Sequence, residues 1–176
     1  MQLPPLRRLA SSSDPSGEET LDLFDLLFPP EELEPRETIR AEWEGSPYET
    51  WVFEHEGRVG GLCRGRVSPA GDWCWIVHVG LSPDVRGRGW GAALLTEGIN
   101  AITRKAPSVK GTLLEVEREE DAASEEDRKV RQNRLAFFAK LGAVRLTSTY
   151  VQASVRPECP PVPLNLMWIP EAMDHP

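Results

Sequence analysis

The segment that most restricts this chain is Val79-Gly80-Leu81-Ser82-Pro83-Asp84-Val85-Arg86-Gly87-Arg88-Gly89-Trp90-Gly91-Ala92. It joins a stretch of strand character, Trp73–Leu81, to one with helical spacing at Leu95, Ile99, Ile102 and Ala106. Glycines at 87, 89 and 91 leave backbone N–H groups uncovered, and the following helix turns the positive end of its dipole into the loop. Arg86 and Arg88 add fixed positive charge. Strand, bare bend and helix in this order predict a cradle in which a diphosphate meets the main chain itself.

Around that segment the chain divides into short elements. Residues 2–10 predict a first strand, since prolines such as Pro4 and Pro5 are tolerated near the start of an edge strand. Two helices follow. Glu18–Leu27 carries Leu21, Leu23, Phe24, Leu26 and Leu27 and stops at Pro29-Pro30; Glu34–Trp43 has Pro35 in its first turn. Tyr48–His55, Arg58–Ser68 and Trp73–Leu81, separated by Glu56-Gly57 and Pro69-Ala70-Gly71-Asp72, predict an antiparallel meander. The helix after the glycine loop closes at Pro107. Next come a strand Thr112–Glu117, an acidic loop Glu119–Asp127, and a helix from a capping box at Ser124 to Leu141 with a buried stripe of Val130, Phe137, Phe138 and Leu141. Ala143–Tyr150 and Val162–Ile169, either side of a proline-rich loop, predict the last strands. The order β-α-α-β-β-β-α-β-α-β-β describes an α/β (α+β) chain forming one domain over residues 1–176.

Composition removes several classes of function. With 20 Lys+Arg against 28 Asp+Glu, a formal charge of -8 argues against non-specific binding of nucleic acid, which needs clustered cations to displace counterions. The most apolar stretch, Trp73–Leu81, falls far short of the about 20 residues a spanning helix needs. Ser11-Ser12-Ser13-Asp14 stands where a signal peptide would be apolar, so the expected location is the cytoplasm. Cys63, Cys74 and Cys159 fit neither a disulfide framework nor a zinc pattern and point to a reducing compartment. His55, His78 and His175 are too scattered to propose a metal site, so no metal is expected.

Spacing separates the nucleotide motifs that the glycine loop could be. A P-loop would end in Gly-Lys-Ser/Thr, where Trp90, Gly91 and Ala92 stand instead. Gly87-x-Gly89-x-x-Ala92 matches a dinucleotide fingerprint literally, but Pro83 interrupts the strand that should lead directly into it. A nicotinamide-dependent oxidoreductase therefore ranks third. The remaining pattern, Arg86-x-x-Gly89-x-Gly91 after Leu81-Ser82-Pro83, resembles the acyl-CoA signature of the GNAT acetyltransferase superfamily. Arg134-Leu135-Ala136-Phe137-Phe138-Ala139-Lys140-Leu141-Gly142 is similar to the signature of that family's fourth helix.

The resemblance implies a mixed, mostly antiparallel sheet of about seven strands, splayed between the fourth and fifth and flanked by about four helices. It implies acetyl-CoA as co-substrate. The backbone of Arg86, Gly87, Arg88, Gly89, Trp90, Gly91 and Ala92 would bind its pyrophosphate, and the main chain of Val79 and Leu81 would bind its pantetheine and thioester carbonyl. The implied function is an N-acetyltransferase that brings the thioester and a primary amine of a small molecule together for direct attack. The implied partners are that amine and, since dimerisation is common in the family, a second copy of the chain. The alternative is a non-catalytic acyl-CoA-binding or regulatory module.

For acid–base chemistry the chain departs from the family pattern. Trp75 stands where many members carry a glutamate, and Phe138 where they carry an acidic tyrosine. Candidate catalytic groups are then His78, whose ordinary pKa of about 6.5 suits proton transfer, and Glu115, which shares a strand face with Glu117. Tyr150 is the candidate acid, beside simple departure of a thiolate whose parent pKa is about 8.5. At the position of the helix-four asparagine that often touches pantetheine stands Arg131. The acceptor is left open among aminoglycoside, polyamine, amino acid and protein N-terminus.

Overall fold

A computed structural model describes residues 2–171 and resolves the apolar pattern into one sheet covered on both faces. Its strands are β1 (Arg7–Leu9), β2 (Glu49–His55), β3 (Arg58–Val67), β4 (Cys74–Leu81), β5 (Gly111–Glu117), β6 (Val144–Arg145), β7 (Tyr150–Gln152) and β8 (Val162–Pro170). The helices are α1 (Gly17–Leu27), α2 (Arg36–Glu42), α3 (Trp90–Thr103) and α4 (Glu125–Lys140). Strands run in the order β1-β2-β3-β4-β5-β8-β6, with β7 also on β8. All neighbours are antiparallel except β4 and β5.

Two strand expectations change. Pro4 and Pro5 donate no N–H, and pairing with β2 begins only at Arg7. The single strand expected over Ala143–Tyr150 is two short ones on the exposed edge of β8, giving eight strands in the sheet. The polar residues Thr147, Ser148 and Thr149 between them bow out of the ladder.

Each face buries its own cluster. Leu21 and Phe24 of α1 and Ile39 of α2 pack with Leu9, Val52 and Leu62. On the opposite face Leu94, Leu95 and Ile102 of α3 and Phe138 of α4 cover Phe53, Cys63, Cys74 and Ile76. Full burial of side chains of this size contributes about 1.5–3 kcal/mol each. The Ser124 cap forms, its Oγ accepting from the Asp127 N–H at 3.1 Å, while the Asp127 carboxylate accepts from the Ala123 N–H at 3.0 Å. Val130 is a correction. It is 52% exposed, because charge fastens this half of α4: Arg131 binds Asp127, Glu117 and the Arg118 carbonyl.

Two irregularities in β4 create the site. Arg64 faces His78 whereas Gly65 faces Ile76, so Val77 is an extra residue bulged out of the β3–β4 ladder. The bulge reverses the alternation. Cys74 and Ile76 point to the α3 face, whereas Trp75 and His78, three residues apart, both point to the face of α1 and α2. Second, β4 pairs with β5 only from Cys74–Ile76 to Thr112–Leu114, and beyond Ile76 and Leu114 the two strands part.

Candidate active site

The parting of β4 and β5 opens a cleft of about 320 Å³ that passes through the sheet. Ile76, Leu114, Val116 and Phe138 line it from the α3 and α4 side; Leu27, Phe28, Glu32, Glu115 and Glu117 line it from the other. Val77, Val79, Gly80, Leu81, Arg86 and Arg134 complete the wall. Consecutive residues of β5 with opposite orientations thus reach one space, which an intact ladder would close.

The glycine bend follows a 3-10 turn at Pro83–Val85. Gly87 and Gly89 adopt φ of 77° and 75°, the left-handed region that a Cβ makes costly, and nothing lies within 4 Å of where either Cβ would sit. Open space therefore borders both residues, as an approaching ligand requires. Among the described residues, Gly87, Arg88 and Gly89 donate no turn or loop backbone hydrogen bond. Gly89 caps α3 without a side-chain acceptor, and the first turn holds no acidic residue. Helix geometry directs the early N–H groups of α3, those of Gly91 and Ala92 included, toward the bend. Trp90 is buried, its ring against Phe53 and His55 at 5.6 and 5.1 Å, and Arg88 lies over the same ring. The Arg86 Nε–H points at the Leu81 carbonyl, 3.4 Å away. These features suit a diphosphate held by main chain, with Val79, Leu81 and Arg86 on the adjoining wall.

The structure brings Glu115 and Tyr150 near enough for each to shift the other's titration. Burial pushes the Glu115 carboxyl up, opposed by the Tyr150 hydroxyl and assisted by the charge of Glu34. Burial and the neighbouring Glu115 carboxylate hold the Tyr150 hydroxyl well above its ordinary value. The Glu115 Oε1 is shielded from solvent and has no hydrogen-bond partner.

His78 is elsewhere. The Val77 bulge turns its ring away from the cleft wall and against Phe24 and Phe28, at centroid separations of 5.4 and 4.5 Å. Its Nδ1 lies 3.1 Å from Arg64 Nη1 and its Nε2 3.1 Å from the Glu32 carbonyl oxygen. Guanidinium only donates and carbonyl only accepts, so Nδ1 holds the lone pair and Nε2 the proton. Burial and the Arg64 charge depress its pKa to about 4. The ring is neutral and its single lone pair is taken, so the base expected at His78 is corrected to a structural histidine.

Sequence reasoning passes over several site residues. Arg64 is fully buried, paired with Glu34 at 3.0 Å and Glu42 at 2.6 Å and lying over the Tyr48 ring at 4.7 Å. Its signal is a charge inside the otherwise apolar run Val59–Gly65. Glu32, carried into the cleft by the connection between α1 and α2, has its carboxyl pushed up by burial. Arg131 and Arg134 both bind Glu117, and burial lowers the Arg134 pKa. Arg156, in the loop before β8, donates to the Leu33 carbonyl at 2.7 Å and ties that loop to the same connection.

Among the described residues, no group of three or more His, Cys, Asp or Glu side chains could hold a metal ion, and no helix is long and apolar enough to cross a membrane. His175 lies outside the described residues.

Comparison with known proteins agrees with this geometry. The chain is similar to a GNAT-family protein from Bacteroides thetaiotaomicron, with 18% identity, a TM-score of 0.74, and 95% and 87% of the two chains covered. It is similar to a diaminobutyrate acetyltransferase from Paenibacillus lautus solved with L-2,4-diaminobutyric acid and coenzyme A, with 18% identity, TM-score 0.62, and 94% and 93% covered. A spermidine/spermine N-acetyltransferase from Vibrio cholerae shares 13% identity at a TM-score of 0.63, with 94% and 91% covered. At these identities the shared property is the fold. No curated protein sequence matches the chain. A family model described as "Acetyltransferase (GNAT) family" matches residues 17–142, spanning α1, the glycine bend, β5 and α4, and the chain therefore belongs to the GNAT acetyltransferase family.

Proposed function

We propose that the protein transfers the acetyl group of acetyl-CoA to a primary amine of a small molecule, with both reactants bound at once. The observation that carries this reading is the cleft where β4 and β5 part, lined from both faces of the sheet, with Glu115 on its wall and Leu81 and Arg86 leading from it to the bare glycine bend. The main chain from Arg86 to Ala92 holds the pyrophosphate, and that of Val79 and Leu81 holds the pantetheine arm. A main-chain amide of β4 stabilises the negative charge that grows on the thioester oxygen.

Glu115 is the base. An amine arrives as an ammonium, and a carboxylate raised by burial is better matched to its proton than an ordinary one. The freed nitrogen forms the C–N bond and gives its second surplus proton to solvent as the C–S bond breaks, and the departing thiolate takes a proton from solvent. Tyr150 orients Glu115 and stays protonated through the neutral range. Phe138, at the cleft wall, has no proton to give. Positioning two reactants supplies much of the acceleration. Three unpaired cysteines, Cys63 and Cys74 buried, accord with work in the cytoplasm.

Phe138 also favours a second reading, an acyl-CoA-binding module without turnover. One experiment separates the two: acetyl-CoA is mixed with a panel of primary amines and thiol release is followed. Release abolished in Glu115→Gln supports the transferase. Binding of acetyl-CoA without release from any amine establishes the module instead.

A further inference from the structure

The face of the sheet that carries Glu115 also carries a cation with no counter-ion. Arg66 of β3 stands opposite Trp75 of β4, two residues along from Arg64 on the same face. Its guanidinium carbon lies over the rings of Tyr48 and Trp75, at 5.1 and 5.4 Å from their centroids. The two nearby carboxylates, Glu34 and Glu42, are both committed to Arg64. Among the described residues Arg66 has neither an ion pair nor a hydrogen bond, in a chain with 28 acidic and 20 basic residues. Two donors beside each other, Arg66 Nε and Trp75 Nε1, are shielded from solvent and without acceptors. Buried donors are nearly always paired, and one left alone keeps the full cost of its lost hydration. A cation held between two aromatic rings and lacking only an acceptor fits an anionic ligand group.

Position says which ligand. Trp75 pairs with Leu113, two residues before Glu115 on the same face. At about 3.3 Å per residue and about 4.8 Å per strand, that places Arg66 about 7 Å back along the strands from the base and two strands, about 10 Å, across the sheet. We propose that Arg66, cradled by Tyr48 and Trp75, binds a carboxylate carried by the acceptor amine. The span is too long for an α-amino acid reacting at its α-nitrogen. It suits an acceptor whose reacting nitrogen and carboxylate lie at opposite ends of an extended chain. This inference rests on the transferase reading above.

The test compares amines that differ only by the carboxylate: 6-aminohexanoate with pentylamine, and lysine with cadaverine, each with acetyl-CoA. The carboxylated member of each pair is expected to show at least tenfold higher kcat/KM, expressed in KM. Arg66→Met is expected to remove that advantage while leaving the amines without carboxylate within twofold, and Arg66→Lys to restore part of it. Equal kcat/KM within each pair, or an equal loss for both members in Arg66→Met, overturns the proposal. Calorimetric titration of 6-aminohexanoate onto the protein with coenzyme A covers the case in which no amine turns over. Binding lost in Arg66→Met, with an unchanged melting temperature, then keeps the carboxylate site while the transferase reading fails. Absence of both binding and turnover removes the site.

Discussion

Tyr150 on β7 and Glu115 on β5 face each other across β8, and burial together with that carboxylate holds the Tyr150 hydroxyl above its ordinary value. A carboxylate raised by burial and lowered by Tyr150 would, as the proposed base, give a pH dependence that separates the two effects. The acid limb of kcat/KM should lie above the ordinary carboxylate range, and Tyr150→Phe should move it further up. A limb left in place by that substitution removes Tyr150 from the pair. Glu115→Gln should lower kcat by about 10²–10⁴-fold without changing the KM for acetyl-CoA.

Glycine at 89 and glycine at 91 should fail differently. At Gly89, with φ of 75°, alanine adopts a left-handed backbone at a cost of about 1–2 kcal/mol. At Gly91 a Cβ would meet Phe137 at 3.5 Å, an ordinary contact. Gly89→Ala should therefore lower the melting temperature and raise the KM for acetyl-CoA, whereas Gly91→Ala should raise that KM alone. A fall in melting temperature for Gly91→Ala would give that residue a packing role.

Stability should fall as pH is lowered from about 6.5 toward 4. The unfolded chain takes up a proton on His78 in that window, and the native chain, with its pKa at about 4, resists. Glu34 and Glu42 face the same network through Arg64, so the comparison must be made against a variant that lacks only the imidazole. His78→Gln should flatten the pH dependence of the melting temperature in this window. An unchanged slope would show that other groups set it.

Arg64→Met should destabilise the fold by about 3–5 kcal/mol, read from the denaturant midpoint, because Glu34 and Glu42 lose the cation that compensates them. Replacing Glu34 and Glu42 by glutamine in the same chain should recover part of the loss. If Arg64→Met alone is neutral, the carboxylates are hydrated and the network is not buried in solution.

How far the sequence discloses this site depends on the regularity of the strand. Along β5 the alternation holds, so Glu115 and Glu117 reach the cleft together as their spacing predicts. Along β4 the Val77 bulge inserts one residue, and strict alternation misplaces His78. A bulge leaves little trace in residue type, since Val77 is an ordinary strand residue. The glycine bend is legible because positive φ restricts the side chain directly. The Arg64 network is not, because its carboxylates come from 22 and 30 residues away. Val130 repeats with the stripe of α4 yet faces solvent, since periodicity gives a helix's orientation but not how far the sheet extends beneath it.

A passage open on two sides frees its visitors from queuing. Because the gap between β4 and β5 is lined from both layers of the protein, the proposed transfer would let the thioester and the nucleophile enter from separate sides, neither blocking the other's way out. Steady-state lines that intersect, with either reactant able to dissociate from the complex first, are the kinetic signature of such a doorway pair.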